Sequence, residues 1–143
     1  MKEPAADLCE LCDSAAGETL WQDALCRVVL IGDRDYPGFC RVIFNRHVGE
    51  MTDLDAATRH RLMRVVFATE QALRLSMRPA KINLASLGNM VAHLHWHVIP
   101  RFADDKHFPG SVWSQARRPG MPRPVDSAGL KLELRKLLQA VAE

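Results

Sequence analysis

Three histidines alternate with apolar residues in His93-Leu94-His95-Trp96-His97-Val98-Ile99. Residues two apart on a β-strand share a face, so the three imidazoles project together. Leu94, Trp96 and Val98 then turn to the opposite side, where they can pack into a core. With six histidines in 143 residues, such an alignment arises by chance in roughly one sequence in a hundred, which marks the trio as a functional pattern. Three readings fit it. The trio can be the solvated polar face of an edge strand. It can hold one metal ion, because alternate histidines on a strand can share a ligand. Or one imidazole is a nucleophile with a neighbouring histidine as proton donor. Imidazole suits attack on phosphorus: it is nucleophilic when neutral near pH 7, and the phosphoramidate it forms is labile to water.

The cysteines are the second chemical signal. Cys9 and Cys12 form a Cys-x-x-Cys pair, whereas Cys26 and Cys40 sit inside apolar runs and read as small buried hydrophobes. The pair is open to three readings: thioredoxin-like redox chemistry, an incidental spacing, or half of a structural zinc site. No βαβ pattern surrounds it to support the first. The third needs two further ligands, since a closed zinc site is tetrahedral, and the chain has no second Cys-x-x-Cys.

The elements that must position these residues can be read from pattern. Cys26 to Ile31 is β-branched and bounded by Gly32-Asp33, which predicts a strand; Phe39 to Phe44 predicts its hairpin partner across the Pro37-Gly38 turn. A short earlier strand near Thr19 to Gln22 is a weaker signal. Thr52 followed by Asp55 resembles a helix-start box. Thr58, Leu62, Val65, Val66, Thr69 and Leu73 then recur at helical spacing, and the helix should end before Pro79. Lys81 to Leu87 and Ala92 to Arg101 read as two more strands around a Gly88-Asn89 turn. Arg117 to Pro124 reads as an extended surface segment. Asp126 or Ser127 can cap a last helix with apolar positions Leu130, Leu134, Leu137, Leu138 and Val141. About five strands with two main helices and hairpin-like connections predict an α+β sheet, not a doubly wound one.

Composition bounds the function. A chain of 143 residues that is 48% hydrophobic and 25% charged is expected to form one domain over 1–143. No run approaches the ~20 apolar residues of a bilayer span, and Met1 to Asp13 has no signal-peptide core, so the cytoplasm is the expected location. The 19 Lys and Arg against 17 Asp and Glu give a formal charge of +2, too balanced for a dedicated nucleic-acid binder. Charge is uneven, however. Glu3, Asp7, Glu10, Asp13, Glu18 and Asp23 oppose Lys2 alone, whereas Arg101, Lys106, Arg117, Arg118 and Arg123 outnumber Asp104 and Asp105. That distribution suits a small anionic ligand better than a long polyanion.

His-Leu-His-Trp-His-Val-Ile resembles the motif His-φ-His-φ-His-φ-φ of the histidine triad (HIT) superfamily of nucleotide hydrolases and transferases. The resemblance runs from Cys9 to Trp113 and includes Asn45-Arg46-His47, the helix after it, Asn83, Gly88 and the triad; the sequence resembles the bacterial members that open with Cys-x-x-Cys. It implies an antiparallel sheet with helices, paired into a homodimer with one continuous sheet. It implies that His95 is the nucleophile on the α-phosphorus of an adenine dinucleotide or nucleotide conjugate, that His97 contacts phosphate and leaving group, and that the His93 carbonyl fixes the tautomer of His95. Asn83 would lie near phosphate or ribose. In the metal-bearing relatives the ligands matching Cys9 and Cys12 are completed by residues that match His47 and His93, which implies a structural zinc that does not activate water.

The chain departs from the phosphoramidase branch of that superfamily. Asn83 to His93 is one residue shorter, Asn89 stands in place of Gln, and Met90 replaces a hydroxyl that binds phosphate. Asn89 can still donate to phosphate, but Met90 cannot. His60 reads as a surface residue. His107 precedes Phe108-Pro109-Gly110-Ser111-Val112-Trp113, similar to the family's Phe-Pro-x-x-Val-Trp segment; Trp113 is either a lid on the site or an ordinary packing residue. Arg101, Arg117, Arg118 and Arg123 read as solvated cations unless they reach phosphate, and Phe44 and Leu30 as core unless they line a base pocket. Two rivals remain beside the nucleotidyl-histidine enzyme. One is a metal-dependent hydrolase with the triad as ligands; the other is a nucleotide-binding protein without turnover.

Overall fold

Runs rich in Val, Ile, Leu and aromatic residues form five strands in the computed structural model, which describes residues 9–139. They are β1 (Glu18–Gln22), β2 (Cys26–Leu30), β3 (Cys40–Phe44), β4 (Lys81–Ala85) and β5 (His95–Arg101). A one-turn helix, α1 (Glu10–Asp13), precedes the sheet; α2 (Ala56–Met77) lies between β3 and β4, and α3 (Ser127–Gln139) follows β5. The sheet order is β1-β2-β3-β5-β4 and every pairing is antiparallel. This is the α+β arrangement expected from the sequence, with α2 and α3 as its two main helices. No helix among the described residues is long and apolar enough to cross a membrane.

Alternation decides which face each strand residue takes. Cys26, Val28, Cys40, Val42, Phe44 and Val98 point to one face and pack with Leu62, Val66 and Leu73 of α2 and Leu130 and Leu134 of α3. Leu94 and Trp96 join this cluster, as the triad pattern predicts. Cys26 and Cys40 are fully buried there, and burial pushes both thiols up to about 12, so they behave as apolar groups. Truncating Leu62 or Leu73 to alanine would cost about 2–5 kcal/mol, because neither site can collapse between sheet and helix. The β2–β3 hairpin turns through Gly38, whose φ is +87°. That left-handed backbone favours glycine, and a Cβ there would also press on the Met77 side chain at the end of α2.

Three local expectations are corrected. The N-cap of α2 is Asp55, whose carboxylate accepts from the Thr58 N–H at 2.8 Å; Thr52 lies in a 3-10 turn, Met51–Asp53, just before it. The helix stops where predicted, with Arg78 left-handed (φ 50°) ahead of Pro79. Strand β4 ends at Ala85, not Leu87. Strand β5 begins at His95, not Ala92: the Leu94 N–H goes to Val48 and the His93 carbonyl to a side chain, so neither is available to extend the strand. In α3, Leu130, Leu134 and Leu138 are buried; Val141 lies outside the described residues.

Candidate functional site

The sheet face opposite α2 and α3 carries the chemical residues. In register, Ile43 of β3 opposes His95 and Arg41 opposes His97. Two small clusters flank these positions. Cys9, Leu11, Val29 and Ile43 pack at one end, and Tyr36, Phe39 and Ile99 at the other. The first cluster draws α1 onto the sheet, helped by the Arg27 guanidinium, which donates to the Leu11 and Ser14 carbonyls at 2.6 and 3.1 Å.

At that end Cys9, Cys12, His47 and His93 converge, with one ligand atom from each within 4.8 Å of the others. His93 Nδ1 lies 3.4 Å from both Cys9 Sγ and Cys12 Sγ, and His47 Nδ1 lies 3.3 Å from Cys12 Sγ and from His93 Nδ1. A tetrahedron with Zn–N near 2.0–2.1 Å and Zn–S near 2.3 Å has edges of about 3.3–3.8 Å, so these four residues fit such an ion. His93 Nε2 donates to the Phe44 carbonyl at 2.5 Å, which turns Nδ1 toward the cluster and fixes the tautomer a ligand needs. The four are therefore close enough to hold a metal, and among the described residues they are the one such group.

The triad thus divides its work. The ring of His93 faces the cysteines, while its backbone carbonyl accepts a hydrogen bond from His95 Nδ1 at 2.6 Å. A carbonyl only accepts, so Nδ1 of His95 carries the proton and Nε2 keeps the lone pair in the neutral ring. Burial pushes His95 below its ordinary range; Arg41 adds to this, and the His93 carbonyl opposes it. The His97 ring stands 4.9 Å from that of His95, and its Nδ1 is buried without a partner. Burial first, then His95 and Arg41, push His97 down to about 4. Both imidazoles are neutral at pH 7, as a nucleophile and a neutral hydrogen-bond donor require.

Around His97 the rings of Phe39 and Trp113 meet it edge-on, at 5.7 and 5.2 Å. Trp113 is half-exposed, so it borders the site and does not fill the core. These rings, Tyr36 and Arg41 line a cavity of about 290 Å³ that opens on His97. The segment that leads to Trp113 is anchored at Gly110. Arg101, expected as a solvated cation, is buried: it pairs with Asp105 through two hydrogen bonds at 2.7 and 3.0 Å and donates to the Gly110 carbonyl at 2.7 Å. Its third arm donates to Asn83 Oδ1 at 2.7 Å, which leaves the amide NH₂ of Asn83 as the end that can donate. Arg118 donates to the carbonyls of Asp105 and Phe108, and Arg123 pairs with Asp104 at 2.5 Å and stacks on Phe102; these two are structural cations. His107 is buried against Tyr36, sharing a hydrogen bond with its hydroxyl. Asn89 and Met90 are exposed in the turn before the triad, away from these contacts, and His60 is exposed on α2. Phe44 is core. Sequence reading assigned no role to Arg41. The signal was a lone cation inside the apolar run Cys40 to Phe44, but which strand it faces depends on register.

The HIT domain family model matches residues 14–104. Among solved structures, the chain is similar to a histidine triad protein from Marinobacter aquaeolei VT8, at 30% identity over 94% of this chain and 97% of that one, with a TM-score of 0.70. It is also similar to a histidine triad protein from Bradyrhizobium japonicum (28% identity, 85% and 87% covered, TM-score 0.64) and to one from Sinorhizobium meliloti 1021 (26%, 87% and 89%, 0.66). No curated protein sequence matches.

Proposed function

Because the chain belongs to the HIT family, we propose that it hydrolyses or transfers nucleotidyl groups at the α-phosphate of adenine dinucleotides or adenylated conjugates, through a covalent nucleotidyl-His95 intermediate. The observation that carries this reading is the hydrogen bond from His95 Nδ1 to the His93 carbonyl, which presents Nε2 as the nucleophile. In the first step Nε2 attacks the α-phosphorus and the bond to the departing group breaks, its electron pair leaving with that group. Water then attacks the same phosphorus, the P–N bond breaks, and His95 is restored. His97 donates to phosphate oxygens, and the free amide of Asn83 holds phosphate or ribose. Asn89 joins only by reaching in from its turn.

Zinc is the metal that the Cys9, Cys12, His47 and His93 set suits best. It would tie the N-terminal segment to the catalytic strand and supply no step of the reaction. The triad-as-ligands alternative finds no support in the geometry, since the ring of His93 faces the cysteines and Nδ1 of His95 is committed to a carbonyl. A homodimer joined into one continuous sheet can form at the open edges of β1 or β4. The thiolates that such a zinc site needs and the buried thiols of Cys26 and Cys40 suit a reducing cytoplasm. The test is turnover of diadenosine tetraphosphate by His95→Ala: loss of nearly all activity with an unchanged melting temperature supports the reading, and full turnover refutes it.

A further inference from the structure

The cation at the mouth of the site is not part of the triad, yet it faces it. Arg41 sits opposite His97 on the neighbouring strand and lines the same cavity as Trp113, Phe39 and Tyr36. Its Nε is buried without a hydrogen-bond partner, and among the described residues no carboxylate pairs with it. Two acids line the same cavity, and both are engaged elsewhere: Asp35 pairs with Lys106 at 3.0 Å, and Asp33 accepts the Asp35 N–H at 2.9 Å. A half-buried guanidinium left unpaired beside two imidazoles is poised for an anion, because a buried donor is costly until an acceptor meets it.

We propose that Arg41 binds the phosphate chain of the departing group and so selects substrates whose leaving group is a phosphate over those whose leaving group is an amine. This deepens the nucleotidyl-histidine reading and rests on it for the identity of the reacting bond. When that bond breaks, a polyphosphate leaves with one further negative charge and needs a cation, not a proton. An amine needs a proton before it can depart. Burial together with the cationic neighbour keeps His97 neutral, so His97 donates a hydrogen bond readily but is a poor acid near pH 7. The site is therefore equipped for the anionic leaving group.

The experiment uses the full chain as wild type, Arg41→Leu and Arg41→Lys. Isothermal titration with ADP and with adenosine reads phosphate recognition directly. Loss of one charge-assisted contact should weaken ADP binding about ten- to hundredfold in Arg41→Leu, leave adenosine binding nearly unchanged, and be partly restored in Arg41→Lys. In parallel, the ratio of kcat/KM for diadenosine tetraphosphate to that for adenosine 5′-phosphoramidate should fall at least about tenfold in Arg41→Leu. Equal ADP affinity in wild type and Arg41→Leu, or an unchanged ratio, would overturn the proposal. Absence of a nucleotidyl-enzyme in wild type would sink the covalent reading instead, while the titration would still decide the role of Arg41.

Discussion

The imidazole of His95 takes its orientation from the backbone of His93, while the imidazole of His93 takes its own from the carbonyl of Phe44 and faces Cys9 and Cys12. One residue therefore links the metal-fitting cluster to the proposed nucleophile: its side chain belongs to one site and its carbonyl to the other. Disturbing the cluster should be felt at His95 without any change to the triad itself.

Metal content is the first consequence. Elemental analysis should find about one zinc per chain, and Cys12→Ser should lower that occupancy. Because binding stabilises only the folded cluster, stripping the metal should lower the melting temperature, and kcat should fall with it as His93 loosens. Chelation that abolishes turnover while the melting temperature stays put would point to a catalytic ion instead.

The buried pair behind the site gives a stability prediction. Asp105→Ala leaves the Arg101 guanidinium buried without its carboxylate, which should cost about 3–5 kcal/mol in urea denaturation. Asp105 also accepts from the backbone N–H groups of His107 and Phe108, so its loss should loosen the segment that leads to Trp113. A cost below about 1 kcal/mol would show that Arg101 finds water or another partner.

Acid should destabilise the protein in a defined window. Burial holds His97 down to about 4 in the folded chain, against about 6.5 when unfolded. The unfolded chain therefore takes the proton first. The stability tied to the neutral ring is complete above about pH 6.5 and is lost as pH falls toward about 4. Denaturation measured across that window should show a shallower pH slope in His97→Asn than in wild type; identical slopes would contradict the assignment.

Trp113 offers a cheap optical readout. It is half-exposed and meets His97 edge-on, so Trp113→Ala should leave the melting temperature nearly unchanged and raise KM about three- to tenfold. Adding AMP to wild type should change the tryptophan fluorescence, and the change should vanish in Trp113→Ala. Persistence of the signal would place the responding residue at Trp21 or Trp96.

Periodicity was enough to find the sheet, the long helix and the shared face of the triad, because period-two and helical patterns are local. What it misplaced depends on partners distant in sequence. Strand β5 begins at His95 because the carbonyl of His93 is diverted to a ring, and no pattern in Ala92 to Arg101 encodes that diversion. Arg101 read as a solvated strand end, but Asp105 and the Gly110 carbonyl enclose it. Arg41 went unassigned because a lone cation in an apolar strand acquires meaning only once the register sets it against His97. The four metal-fitting residues were legible through family resemblance, not through spacing, since His47 and His93 lie far from the cysteine pair.

The central claim is covalent catalysis at His95, and intact-mass spectrometry after rapid quenching tests it most directly. Wild type and His95→Ala would each be mixed with diadenosine tetraphosphate or adenosine 5′-phosphoramidate and stopped within the first turnovers. The account predicts a transient gain of one adenylate in wild type alone, loading faster from the tetraphosphate. No adduct in wild type during measurable turnover, or the same adduct in His95→Ala, would contradict it.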